Sequence, residues 1–202
     1  MSEHVVDTGR RKMLTVSAGV MGAAGVAVAV VPFVASMSPS AEALSAGAPV
    51  EVDISKIEPG QKIEVPWRRK PVWIVRRTDR MLDTLKDITP KLRDPNSDNL
   101  GMQPEMMRNE IRALRPEILV LVGLCTHLGC SPTFRPEIAP EDLGPDWEGG
   151  FYCPCHGSRF DISGRVYKNV PANANLEVPP YKFIDENILL VGELDEDGKG
   201  VA

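Results

Sequence analysis

Residues 13–41 carry no charge, and residues 13–34 alone form a run of 22 mostly apolar positions. At 1.5 Å per residue a helix of that length reaches about 33 Å, enough to cross a hydrocarbon core. Residues 36–49 are rich in Ser, Ala, Gly and Pro and read as a flexible linker. The pattern then shortens. Apolar runs at 50–54, 63–65 and 72–75 predict strands, and the continuous run at 118–124 predicts a buried one. Phe151-Tyr152 predicts another strand, residues 160–166 a hairpin turning at Ser163-Gly164, and residues 181–184 and 188–191 a hairpin around Asp185-Glu186-Asn187. Two segments break this pattern. In 79–88, Met81, Leu82, Leu85 and Ile88 share one helical face ahead of Pro90, and 104–114 offers Pro104 at a first turn followed by Met107, Ile111 and Leu114. Both read as a helical insert covering one side of the strands. Residues 131–150, with Pro, acidic residues and Trp147, are expected to pack across the base of the region that follows the 118–124 strand.

The flanks of the apolar run set its topology. Arg10, Arg11 and Lys12 precede it, which keeps the N-terminus cytoplasmic and places the rest of the chain outside. Thr8-Gly9-Arg10-Arg11-Lys12-Met13-Leu14 is similar to a twin-arginine export signal. Small-residue sites at Ala41-Glu42-Ala43 and Ala46-Gly47-Ala48 suit cleavage, but cleaved signals have apolar cores of only about 7–15 residues. An uncleaved anchor is the better reading. The expected divisions are a cytoplasmic tail (1–12), a transmembrane helix (13–35), a hinge linker (36–49) and a periplasmic head (50–202), long enough for one domain with its own core. Net charge is −5. Residues 1–42 balance, with Glu3, Asp7 and Glu42 against Arg10, Arg11 and Lys12, so the head carries the whole excess. An acidic head argues against nucleic acid as a partner.

Chemistry is concentrated in two segments, Cys125-Thr126-His127-Leu128-Gly129-Cys130 and Cys153-Pro154-Cys155-His156-Gly157-Ser158. They hold all four cysteines and two of the three histidines. Two thiolates and two imidazoles match a [2Fe–2S] centre in which histidines hold one iron. Zinc also takes two Cys and two His, but usually from like-paired knuckles, and it would leave two cysteines unexplained. A redox dithiol would open a helix as Cys-x-x-Cys and needs no companion histidines. Cys130 and Cys155 hold equivalent places and could join as a disulfide. Gly129 and Gly157 suit tight loops, and the Ser158 hydroxyl can donate to a sulfide, which raises a reduction potential.

These motifs resemble those of Rieske iron–sulfur proteins, in particular the subunit of proteobacterial cytochrome bc complexes. The resemblance extends from the N-terminal anchor to Val178-Pro179-Pro180-Tyr181. It implies a mainly β fold: one transmembrane helix, then an antiparallel β-sandwich head with a short helical insert and a small cluster-binding subdomain at about 118–172. It implies one [2Fe–2S] cluster, with Cys125 and Cys153 on the inner iron, His127 and His156 on the outer iron, and a Cys130–Cys155 disulfide. It places Leu128, Gly129, Ser158 and Phe160 around the cluster and Pro171, Ala172 and Asn173 in a covering loop. His156, with His127, is implied to take an electron and a proton from ubiquinol, the electron passing to a c-type cytochrome. The implied setting is a dimeric quinol–cytochrome c reductase containing cytochrome b, in a bacterial inner membrane. A Rieske subunit of a periplasmic molybdenum oxidase, such as arsenite oxidase, is the alternative. Two positions depart from the family pattern: Phe160 stands where many members have tyrosine, and Asn173 where the second proline of a Pro-Ala-Pro loop is common.

Overall fold

The computed structural model describes residues 7–41, 43 and 47–194, so parts of the expected tail, linker and head at 1–6, 42, 44–46 and 195–202 lie outside it. The chain separates into two units, Met1–Ser45 and Ala46–Ala202.

The first unit is helix α1, Thr8–Ser36, which begins before the expected span and takes the two arginines into its first turns. Asp7 caps it, its carboxylate accepting the N–H groups of Gly9 and Arg10 at 3.0 and 3.1 Å. These are among the four donors that a helix start leaves without partners. No residue of α1 is buried, and the helix is long and apolar enough to cross a membrane.

The second unit is built on three antiparallel sheets of three strands. The first is ordered β1 (Val50–Asp53), β9 (Ile188–Val191), β8 (Tyr181–Phe183). The second is β2 (Lys62–Trp67), β3 (Lys70–Arg76), β4 (Ile118–Val122). The third is β5 (Thr133–Arg135), β6 (Gly150–Cys153), β7 (Ser158–Phe160). β3 and β4 are the apolar centre. Val72, Trp73, Ile74 and Val75 pair with Val122, Leu121, Val120 and Leu119, and all eight are essentially inaccessible. They share one core with Tyr181, Phe183, Leu189 and Val191 of the first sheet and with Phe151 and Phe160 of the third. Trp73 stacks on Phe151, ring centroids 5.3 Å apart, and so joins the central sheet to the third.

Helix α2 spans Asp79–Ile88 as the periodicity predicts. The Thr78 hydroxyl accepts the Met81 N–H, and Leu85 and Ile88 are buried. The second expected helix, at 104–114, does not form: only the single 3₁₀ turn Glu105–Met107 is present. Two polar side chains account for this. Asn109 accepts the Arg112 N–H at 2.7 Å, and Arg112 adopts a left-handed φ of 49°. Its fully buried guanidinium then reaches the carbonyls of Ser163, Gly164, Met102 and Leu176. Those bonds satisfy carbonyls that a helix at 104–114 could not reach. The expected 160–166 strand pair is likewise reduced to a tight turn, with an isolated bridge between Phe160 and Val166. β5 was not foreseen from the sequence; it exists through pairing with β6. Trp147 is buried, stacked on Tyr167 and donating to the Arg135 carbonyl.

Gly123 follows β4 directly, and its N–H donates to the Pro71 carbonyl at 2.8 Å. A Cβ at this position would overlap the Trp73 ring. Gly123→Ala is therefore expected to destabilise the head by about 1–3 kcal/mol through overpacking, read as a lowered thermal midpoint.

Candidate metal centre

Two loops leave the core side by side, one following β4 and one joining β6 to β7. Both are built on the same turn. The Cys125 carbonyl accepts the Gly129 N–H and the Cys153 carbonyl accepts the Gly157 N–H, each at 2.9 Å. Both glycines lie in the left-handed region, at φ 81° and 76°, where a side chain would be strained. Cys125 closes its loop by donating its N–H to the Cys130 carbonyl at 2.7 Å. A disulfide between Cys130 and Cys155, 25 residues apart, fastens the loops together.

That bond divides the six candidate side chains. Cys125 and Cys153 remain free thiols, 3% and 2% exposed. Burial pushes the Cys153 thiol up, and the adjoining Cys125 adds to the rise, while the backbone N–H groups of Cys155 and His156 favour its thiolate. Two abutting buried thiolates require a cationic partner, and a bound metal meets that requirement by deprotonating its ligands. The sulfurs of Cys130, Cys153 and Cys155 also lie within 4.8 Å of one another. They do not form a separate three-sulfur site, because two of them are bonded to each other. His127 is half-buried and His156 exposed; their rings lie perpendicular with centroids 4.7 Å apart. Two inner sulfurs and two outer imidazoles, with N–H groups aimed at a sulfur, fit an iron–sulfur group held unequally from its two ends. Leu128, between His127 and Gly129, is 71% exposed at the tip.

The loop at 171–174 is tied to both ligand loops. Ser158, wholly buried, accepts the Ala172 N–H at 3.0 Å, and the Thr126 hydroxyl donates to the Ala174 carbonyl at 2.6 Å. Ala172 is buried, and Pro171 and Asn173 face solvent. Thr126 was missed in the sequence; a hydroxyl between two candidate ligands was the available signal. Phe160 is buried in the core that also contains Cys125 and Cys153. Behind β7, Asp161 accepts the N–H groups of Ser163 and Arg165 and the Arg165 guanidinium at 2.7–2.9 Å. Arg77 donates to the Ser163 hydroxyl. Burial pushes Arg77 and Arg112 down to about 10, so both stay charged near neutral pH.

A β head whose paired cysteine–histidine loops are closed by a disulfide defines a Rieske-type [2Fe–2S] protein, and the Rieske [2Fe-2S] domain family matches residues 94–182. Residues 1–40 match a second family, described as "Ubiquitinol-cytochrome C reductase Fe-S subunit TAT signal". Similar curated proteins include the ubiquinol-cytochrome c reductase iron-sulfur subunit of Allochromatium vinosum, 54% identical over 96% of this chain and 93% of that one. The subunit of the same name from Bradyrhizobium diazoefficiens is 41% identical over 91% and 94%. The mitochondrial cytochrome b-c1 complex subunit Rieske of Solanum tuberosum is 46% identical over 84% of this chain and 56% of its own length. The chain belongs to the ubiquinol-cytochrome c reductase iron-sulfur subunit family, and its cofactor is a [2Fe–2S] cluster. The molybdenum-oxidase alternative is not favoured by these relatives.

Replacing both Cys130 and Cys155 with serine is expected to cost about 3.5 kcal/mol, the loop-closure value for a staple of this span. Thermal unfolding of the oxidised protein measures it, with cluster absorbance lost at a lower temperature than in the parent.

Proposed function

We propose that this chain is the electron-accepting subunit of a quinol–cytochrome c reductase, oxidising ubiquinol and passing the electron to a c-type cytochrome. The observation that carries the reading is a pair of abutting imidazoles on two disulfide-fastened loops that each also carry one buried free thiol. When bound, the cluster supplies a one-electron acceptor. Cys125 and Cys153 would hold its inner iron, away from water, and His127 and His156 its outer iron. His156, the more exposed of the two, uses the ring nitrogen left free of metal to hydrogen-bond a quinol oxygen and to take its proton. Leu128 offers an apolar contact beside it. Ser158, Gly129 and Phe160 shape the surroundings of the sulfurs, and residues 171–173 exclude water from them.

Family membership supports cytochrome partners within a membrane complex, and the export-signal match together with α1 supports a head carried across a membrane on its anchor. We extend this to a dimeric complex in the bacterial inner membrane, with the N-terminus cytoplasmic and the head periplasmic. In this reading residues 1–12 form the tail, 13–35 the span, 36–49 a hinge that lets the head move between quinol site and cytochrome, and about 118–172 the cluster-binding part of the head.

The test is electron paramagnetic resonance of membranes reduced with ubiquinol. A reduced [2Fe–2S] signal is expected, together with ubiquinol-dependent cytochrome c reduction, and both are lost in His156→Ala. Absence of the signal in the parent, or retention of quinol-driven reduction in the variant, would sink the reading. A second expectation concerns Phe160, which has the tyrosine ring without its donor. One added hydrogen bond is worth about 0.5–1.5 kcal/mol, or roughly 20–65 mV for one electron. Phe160→Tyr should raise the midpoint potential by that amount in a redox titration; an unchanged or lowered potential removes the explanation.

A further inference from the structure

Three of the four cysteine sulfurs lie within 4.8 Å of one another: the bonded pair Cys130 and Cys155, and the free Cys153. A free thiol so close to a disulfide is an internal nucleophile, because such bonds break and re-form by attack of a thiolate on one of their sulfurs. Cys125 adjoins Cys153 but is not one of the three. The threat to the disulfide therefore comes from Cys153, the residue on which β6 ends.

Burial selects the sulfur that is attacked. Cys155 is exposed and Cys130 half-buried. Attack on Cys130 expels Cys155 into water, where a thiolate is hydrated; attack on Cys155 would leave the charge on the less exposed sulfur. That second route would also close a ring across a single residue, Pro154, whose φ its own side chain fixes.

We propose that Cys153, when it holds no iron, displaces Cys155 from Cys130, so that the disulfide moves from Cys130–Cys155 to Cys130–Cys153. The step balances without an added oxidant. The bond between Cys130 and Cys155 breaks as one forms between Cys130 and Cys153. Cys153 is thereby oxidised and Cys155 reduced, and the proton of Cys153 passes through water to Cys155. The product has lost a sulfur assigned to the inner iron, so the site cannot be refilled while the new bond stands. Loss of the metal is thus turned into a one-way change by the staple that fastens the loops. The inference rests on Cys153 being a ligand and not on the electron-transfer role.

The test uses the full-length, cluster-bearing subunit. Iron is removed with a chelator at mildly acidic pH under flowing argon, which sweeps out released sulfide and excludes oxygen. After return to neutral pH the folded chain is labelled with N-ethylmaleimide at intervals, since uncatalysed disulfide rearrangement takes minutes to hours. Peptide mass spectrometry then reads the linkages. Cys155 should change from unlabelled to the main site of label, with Cys130 joined to Cys153. The thiol count should stay at two per chain, as it is with Cys125 and Cys153 free. Cys125→Ser keeps the attacking thiol and should exchange as the parent does, whereas Cys153→Ser should keep Cys130–Cys155. The chelated parent decides the matter where neither variant folds. A Cys130–Cys155 bond that persists there, with label on Cys125 and Cys153, overturns the proposal, and so does a Cys153–Cys155 link. A Cys125–Cys153 bond with no thiol left overturns it in favour of oxidation from outside. A cluster retained by Cys153→Ser refutes the ligand assignment itself, an outcome separable from the others.

Discussion

Everything around the metal centre follows from placing two thiols next to each other in an apolar interior. Burial there holds the Cys153 thiol against ionising, and the head supplies compensation in parts that are useless singly. Backbone N–H groups of Cys155 and His156 turn toward the Cys153 sulfur. Matched glycine turns fold each loop back on its own cysteine. The Cys130–Cys155 bond keeps the loops from parting, which the mutual repulsion of two thiolates would otherwise favour. The two histidines stand on the more open side, His156 exposed and His127 half-buried.

The rest of the head acts as a mount for these loops. β4 and β6 each end at a buried free cysteine or within three residues of one, so the register of two sheets sets the sulfur positions. Behind the second loop, three buried guanidiniums and the Asp161 carboxylate grip the turn at Ser163-Gly164. Buried charges of this kind contribute little net stability against an apolar alternative, yet removing one partner is costly. They tie the chain just after β7 to β3 through Arg77 and to the 102–112 segment through Arg112.

Much of this was readable from local pattern. Helix α2 has its apolar face, its Thr78 cap and its terminating Pro90 within one short window, so the prediction needed nothing distant. The strands at β3, β4 and β9 announce themselves as β-branched runs. The cysteines and histidines stood out because their spacing repeats. What escaped depends on partners far along the chain. The failed helix at 104–114 is undone by Arg112 reaching residues some 50 to 64 positions away. β5 is a strand only because Phe134 and its neighbours pair with β6. Thr126 looked like a spacer between two ligands until Ala174, 48 residues on, supplied the carbonyl it bonds.

The way the loop at 171–174 is held has a thermal consequence. A second proline at position 173 would stiffen the loop by deleting backbone conformations, an entropic restraint that persists on warming. Here Asn173 leaves those conformations available, and the loop is fastened by hydroxyl bonds at Thr126 and Ser158. Such bonds hold through enthalpy and yield progressively as temperature rises. The hold on this loop is thus graded by temperature, weakening by degrees on warming where a proline's restraint would persist.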